Sequence, residues 1–156
     1  MPLINAETKI PQLLLDYVDS RRVALSIPDS TALPFYAGVR DSVKVTPCVV
    51  FFCEDFVMRH SERMTLSIRV EYVNDLAADD STEESANASQ VRSAVADIAS
   101  WSAWLLALTT PEKEGWRVTK TRLMGGGVDI DADKAERRRF STVQVHAITS
   151  ETTFPA

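Results

Sequence analysis

The feature that most constrains the fold is the segment 64–73, in which apolar and polar residues alternate five times. Successive side chains of an extended strand point to opposite faces, so this alternation predicts a half-buried strand. One covered face and one polar face are typical of an antiparallel sheet. The apolar side consists of Met64, Leu66, Ile68, Val70 and Tyr72, and the polar side of Thr65, Ser67, Arg69 and Glu71.

Patterns in the rest of the chain predict two helices. Apolar residues at helical spacing indicate a first helix over 5–20, although Pro11 suits a first turn and favours a start near Ile10. A second helix extends to about Leu108, with Asn87 or Ser89 as its cap. The segment 28–46, with two prolines inside it or at its start, is predicted to be a loop.

Four further strands are predicted, which completes a sheet of five. The order of elements favours one α+β domain over residues 1–156, with a mostly antiparallel mixed β-sheet and two helices packed on one face. The tail, 150–156, is expected to be loose. The additional strands are 22–27, 47–53, 115–123 and 140–149.

Composition excludes several classes of protein. With 45% hydrophobic and 25% charged residues, the chain is neither disordered nor a coiled coil. Its 17 bases and 22 acids give −5, which argues against general coating of nucleic acid. Cys48 and Cys53 would lie on opposite faces of one strand, which predicts free buried thiols in a reducing cytoplasm. No apolar run is long enough to span a bilayer and no signal peptide is visible, so we expect no membrane partner.

Two charged segments are candidates for contacts between subunits. The segment 74–88 carries five acids and no base, which predicts a solvated, mobile loop. The segment 125–139 is predicted to be a glycine-rich, charged hairpin tip, although a bulge is the alternative for the three glycines. Opposite charges on the two segments would attract each other between neighbouring copies in a ring. The other interpretations are ordinary solvated loops or a phosphate-contacting arm. The candidate contact residues are Asp75, Asp79, Asp80, Glu83, Glu84, Gly125, Gly126, Gly127, Arg137, Arg138 and Arg139.

No catalytic constellation is apparent. Asp129, Asp131 and Asp133 reproduce the start of a calcium loop, but Lys134 replaces the required glycine and Phe140 the final glutamate. We therefore predict no metal site and keep the three aspartates as weak candidates for Mg²⁺ or Ca²⁺. His60 and His146 are far apart in sequence and no nucleophile motif accompanies them, so no triad, cofactor or enzyme activity is predicted.

The order of elements resembles that of the tail terminator, or tail completion, proteins of long-tailed bacteriophages. The resemblance covers about residues 5–149: an N-terminal helix, a strand after a proline, an alternating strand, a helix and a closing strand pair with an arginine-rich entry to its last strand. The segments that carry it are 5–20, 46–51, 64–70, 89–108, 116–124 and 139–149.

The resemblance implies a structural protein without enzymatic activity that forms a hexameric ring, caps the tail tube and joins tail to head. Its partners would be its own copies, the tail tube protein and the head–tail connector, with DNA passing through the lumen without sequence-specific binding. An acidic loop facing that lumen would repel phosphate and let the genome slide. The protein would assemble in the host cytoplasm and then belong to the virion tail.

Three other functions remain open. A head–tail connector, or neck, component shares the ring arrangement but has a different neighbour. A metal-binding domain or metal-dependent enzyme would use Asp129, Asp131 and Asp133. A small regulatory domain would bind its partner through the glycines at the predicted hairpin tip.

Overall fold

The structure is a computed structural model that describes residues 6–38, 45–59, 63–77, 82–96, 103–104 and 116–149. The described residues form one five-stranded sheet with both helices on one face, so the predicted α+β class is confirmed. No helix among them is long and apolar enough to cross a membrane. The elements are α1 (Ala6–Ser20), β1 (Phe35–Ala37), β2 (Cys48–Arg59), β3 (Arg63–Asp75), α2 (Thr82–Ala96), β4 (Trp116–Asp131) and β5 (Glu136–Thr149).

The sheet has the strand order β1-β2-β3-β5-β4, and its central strand is the alternating segment of the sequence. β3 pairs with β2 on one side and β5 on the other, both antiparallel. Only β1 is parallel to its neighbour, and it covers just Val49, Val50 and Phe51 of β2. The later part of β2 and the whole of β4 therefore form opposite edges of the described sheet.

The core lies between the apolar side of β3 and the two helices. Ile10, Leu14 and Val18 of α1 are buried there, together with Val91 and Val95 of α2. Each such side chain contributes roughly 1.5–3 kcal/mol when it is fully removed from water. We call this side of the sheet the helix face and the other side the open face.

The first helix extends further than the proline suggests. α1 begins at Ala6 and contains Pro11, so the favoured start near Ile10 is wrong. A proline at that position cannot donate the usual bond to the carbonyl of Glu7. Pro11 is itself buried, so the loss of this hydrogen bond is accompanied by burial of the proline ring.

The predicted strand at 22–27 is wrong, because these residues form turns. Ser26 has a positive φ of 57°, and Val23 is 95% exposed, so its apolar side chain covers no core. Arg22 is held instead by Asp19, at 2.6 Å, and stacks over the ring of Phe35. The fifth strand of the sheet is instead β1, which lies inside the segment 28–46 that is predicted to be a loop.

Most of the described part of the acidic segment is regular structure, so the prediction of a mobile loop over 74–88 is wrong at 74–75 and 82–88, whereas 78–81 lie outside the described residues. Asn74 and Asp75 end β3, and α2 begins at Thr82 rather than at Asn87 or Ser89. Acidic residues are favoured in the first turn of a helix, so the same composition is compatible with a helix start. The predicted continuation of this helix through 97–102 and 105–108 lies outside the described residues.

The second hairpin is longer than predicted, and its glycines are not at the tip. β4 continues through them to Asp131, and the turn occupies 132–135, where Ala135 has a φ of 51°. The register shifts between Leu123 and Gly125, and Gly125 has a φ of +137°. The tip interpretation is thus wrong, and the alternative of a β-bulge is confirmed at Gly125.

Candidate functional site

The open face divides into two halves with opposite chemistry. Near the start of β3, Thr65 and Ser67 are half-buried, as a polar strand face predicts. Near its end, Arg69 is buried and Glu71 is 0% exposed. The prediction of a polar face in solvent therefore holds for the first half of β3 and is wrong for the second.

A network of charges fills the buried half. The Arg69 guanidinium donates to Asp129, lies 3.2 Å from Glu54 Oε1 and 3.3 Å from Glu71 Oε2, and stacks 3.7 Å from the Phe140 ring centroid. Burial lowers the pKa of Arg69, but the bond to Asp129 and the charge of Glu71 outweigh it and raise the pKa above its usual value. We call Arg69, Glu54, Glu71 and Asp129 the charge network.

The glycines of β4 allow this network to form. A Cβ on Gly126 would lie 2.1 Å from the Phe140 carbonyl oxygen, and one on Gly127 would lie 3.3 Å from the Phe140 ring. The bulge at Gly125 bends the strand, and beyond it Asp129 reaches Arg69 from across β5. Close packing inside the sheet thus explains Gly126 and Gly127, and the positive φ explains Gly125.

The three candidate metal ligands do not converge. Asp129 is ion-paired with Arg69, and Asp131 accepts the Lys134 backbone N–H at 3.1 Å. Asp133 lies in the turn. Across the described ranges, no group of three or more His, Cys, Asp or Glu side chains is placed to hold a metal ion. The carboxylates of this hairpin act in ion pairing and turn formation.

The predicted basic cluster is not a continuous surface patch. Arg137 and Arg138 are buried, and Arg139 is half-buried. Arg138, 3% exposed, bonds Glu136 through Nε at 3.0 Å and Nη2 at 2.5 Å. Consecutive strand residues alternate between faces, so Arg138 lies on the opposite face of the sheet from Arg137 and Arg139.

The acidic candidates are only partly placed by the structure. Asp75, at the end of β3, accepts a hydrogen bond from the Thr46 hydroxyl at 3.0 Å. Glu83 and Glu84 belong to the first turn of α2. Asp79 and Asp80 lie outside the described residues.

Neither cysteine is poised for nucleophilic chemistry. Cys48 is buried in a small cluster with Val50 and Val73, whereas Cys53 packs against the main core, so the predicted placement on opposite faces is confirmed. Burial, followed by the charges of Glu7 and nearby acids, raises the pKa of Cys53 to about 11. This thiol is protonated at neutral pH and is a poor nucleophile.

Exposed cations line the other half of the open face, and sequence reasoning missed them as a group. Arg59 and Arg63 face each other across β2 and β3, and Lys120 pairs in register with His146. Arg59, Arg63 and His146 line an open groove of about 620 Å³, and Lys120 lies beside it. Burial, then the charges of Lys120 and Arg59, lowers the pKa of His146. The basic patch, as we name it, consists of Arg59, Arg63, Lys120, Arg122 and His146.

The sequence contains only part of the information needed to predict this patch. Arg122 lies opposite Gln144, and Lys120 lies opposite His146, because the strand register shifts at Val118. Strand alternation indicates that such residues share a face with their neighbours two positions away. Only the pairing between distant strands brings the four cations together.

Comparisons with known proteins place the fold. A scan of protein-family models finds no match, and a search of curated proteins finds none. Solved structures do match, among them a chain described as "Virion of native gene transfer agent (GTA) particle". It is 14% identical with a TM-score of 0.50, and the alignment covers 89% of this chain and 94% of that one. The two chains therefore share an α+β fold over nearly their whole lengths.

Proposed function

We propose that this chain is a structural, non-enzymatic protein of a phage-like virion, and specifically a tail terminator that forms a ring on the tail tube. The observation that carries the proposal is its likeness to a chain of a gene transfer agent particle over 89% of its length. The order of elements supports the finer role. On this proposal the protein assembles in the host cytoplasm and joins the tail tube to the head–tail connector.

Exposed apolar residues at two opposite sheet edges support assembly from identical copies. Val128 and Ile130 lie on the helix face of β4, and Ile130 is 64% exposed. Phe56 and Met58 lie on the same face of β2, at the far edge, and are also exposed. Paired apolar residues on an edge strand are typical of contact surfaces. Because the two patches differ, a contact between them is head-to-tail, which generates rings or filaments.

Charged segments would complete the contacts of such a ring. We expect the acidic residues between β3 and α2 to face the neighbouring subunit, the tube or the lumen, where negative charge lets DNA pass. Arg139 and the rest of the β4–β5 hairpin would face the adjacent copy. The proposed contact residues are Asp75, Asp79, Asp80, Glu83, Glu84, Gly125, Gly126, Gly127, Arg137, Arg138 and Arg139, of which Arg137 and Arg138 would act through the packing of the hairpin.

Assembly on tail tubes tests the proposal. We would mix the chain with purified tail tubes and count subunits at the tube end by electron microscopy, alongside native mass spectrometry of the free chain. We expect six copies at the tube end, and V128D/I130D should abolish them because two charges enter an apolar contact.

A matched variant separates this contact from general solubility. V23D adds a charge at a residue that is 95% exposed and belongs to neither apolar patch, so it should assemble normally. A chain that never binds tubes or itself at any concentration would contradict the proposal. Equal loss of assembly in both variants would contradict the hairpin contact.

A further inference from the structure

The basic patch is chemically unlike the rest of the molecule. Its four permanent cations, Arg59, Arg63, Lys120 and Arg122, are all exposed, and none forms an ion pair within the described part of the chain. Among the side chains that the structure describes, Asp55 is the acid on this half of the open face, so their formal balance is four bases against one acid, or +3. That local charge stands in a chain of −5.

The patch also has polar donors and a suitable extent. The Thr65 hydroxyl and the Gln144 amide line the groove between the cations. The cations lie on β2, β3 and β4, and three strand spacings of ~4.8 Å separate β2 from β4, a width of roughly 14 Å. Lys120 and Arg122, two residues apart, are separated by about 7 Å along their strand.

We propose that the basic patch binds the phosphate backbone of double-stranded nucleic acid without reading its sequence. Arginine guanidiniums bind phosphate oxygens with paired hydrogen bonds, and hydroxyl and amide groups add further backbone contacts. A width of roughly 14 Å spans the ~12 Å major groove, so cations at the two edges reach phosphates of both strands. The inference concerns a site on one subunit and does not depend on ring formation.

The observations favour a duplex over other polyanions. No Phe, Tyr or Trp side chain lines the groove among the described residues, whereas sites for single strands use such rings to stack bases. An acidic segment of a second copy offers carboxylates on flexible side chains, which match the paired donors of arginine but not the regular spacing of a duplex. An acidic segment of a second copy is therefore the competing ligand in the experiment.

Salt-dependent binding of a duplex tests the site. We would titrate the full chain into a fluorescently labelled, random-sequence duplex of about 20 base pairs and measure anisotropy between about 50 and 200 mM NaCl. Four phosphate contacts predict that log Kobs falls with log salt with a slope of about −3.6. K120Q/R122Q removes two contacts, so the slope should change to about −1.8.

A charge-matched variant provides the control. R92Q/K134Q removes the same charge from an exposed position on α2 and from the hairpin turn, and it should bind like the unaltered chain. No binding at the lowest salt would overturn the proposal, as would an equal change of slope in both variants. Poly-glutamate of equal charge is the second probe. If it displaces the duplex at equal charge concentration, the patch is a carboxylate site, which favours the acidic segment of a neighbouring copy.

Discussion

The two halves of the open face show that one sheet can bury and neutralise charge in one place and leave it exposed in another. At one end, Arg69 is enclosed by three carboxylates and an aromatic ring. At the other, Arg59, Arg63 and Lys120 are exposed and form no ion pair within the described part. The charge network is thus part of the architecture, whereas the basic patch keeps its charge available for a ligand.

This difference follows from the strand that flanks each half. Beyond the bulge, β4 presents Asp129 to the open face, where it meets Arg69. Before the bulge, the same strand presents Lys120 and Arg122 to that face. The residues that β4 presents along its length therefore decide whether the open face is neutralised or cationic.

The largest expected effect is the loss of Arg69. R69M leaves the fully buried carboxylate of Glu71 without its guanidinium, and breaking a buried pair in this way costs about 3 kcal/mol or more. The ion pairs with Glu54 and Asp129 add little, because water reaches both of those carboxylates. Urea denaturation monitored by circular dichroism would measure the loss.

A double variant separates the charge from the volume of the side chain. R69M/E71L removes both members of the pair, and apolar replacements of similar size are often close to neutral. We expect it to recover most of the stability lost in R69M. If R69M alone is as stable as the unaltered chain, the network does not stabilise this half of the face.

The next effect concerns the glycines that bring β4 close to Phe140. G126A places a methyl group against a backbone carbonyl, so the strands must separate, at a cost of about 2 kcal/mol. G127A meets only the edge of the Phe140 ring at 3.3 Å, and a small ring movement limits the cost to less than about 1 kcal/mol. Thermal unfolding of the two variants would compare them; equal midpoints would argue against the close approach.

Much of the fold could be predicted from local pattern. The alternation in β3, the continuous apolar start of β2 and the helical spacing in α1 each indicate their element, because these segments bury one side against a core. The strand predicted at 22–27 failed since alternation over six residues is weak and Val23 covers nothing. The start of α2 was missed because acidic residues suit both a loop and a first helical turn.

The candidate site was much less predictable. Arg69 and Glu71 occupy polar positions of an alternating strand, which normally indicates solvent, and their burial depends on Phe140 and Asp129 from distant parts of the chain. The basic patch requires the register of β4 against β5, including a shift at Val118 that no local pattern reveals. Both halves of the open face are therefore products of long-range pairing.

The smallest effect tests the electrostatics of the basic patch. K120Q should change stability by less than about 0.5 kcal/mol, because it removes an exposed side chain without an ion pair. It should raise the pKa of His146, since Lys120 is one of the charges that lowers it, followed by Arg59. The Thr65 hydroxyl and Gln144 also lie beside the imidazole but carry no charge. Proton NMR titration of His146 would measure the change, with R92Q as the control on a distant element.

The direction of the pH effect follows from the lowered pKa. Because His146 binds its proton less readily in the folded chain, the unfolded chain takes up more protons below its reference pKa of about 6.5, and stability falls on acidification. K120Q should make that fall shallower, and duplex DNA bound at the patch should do the same by neutralising its cations. An unchanged His146 pKa in K120Q would show that the cations are too far apart to act as one patch, and the contrast between the two halves of the face would then be one of burial alone.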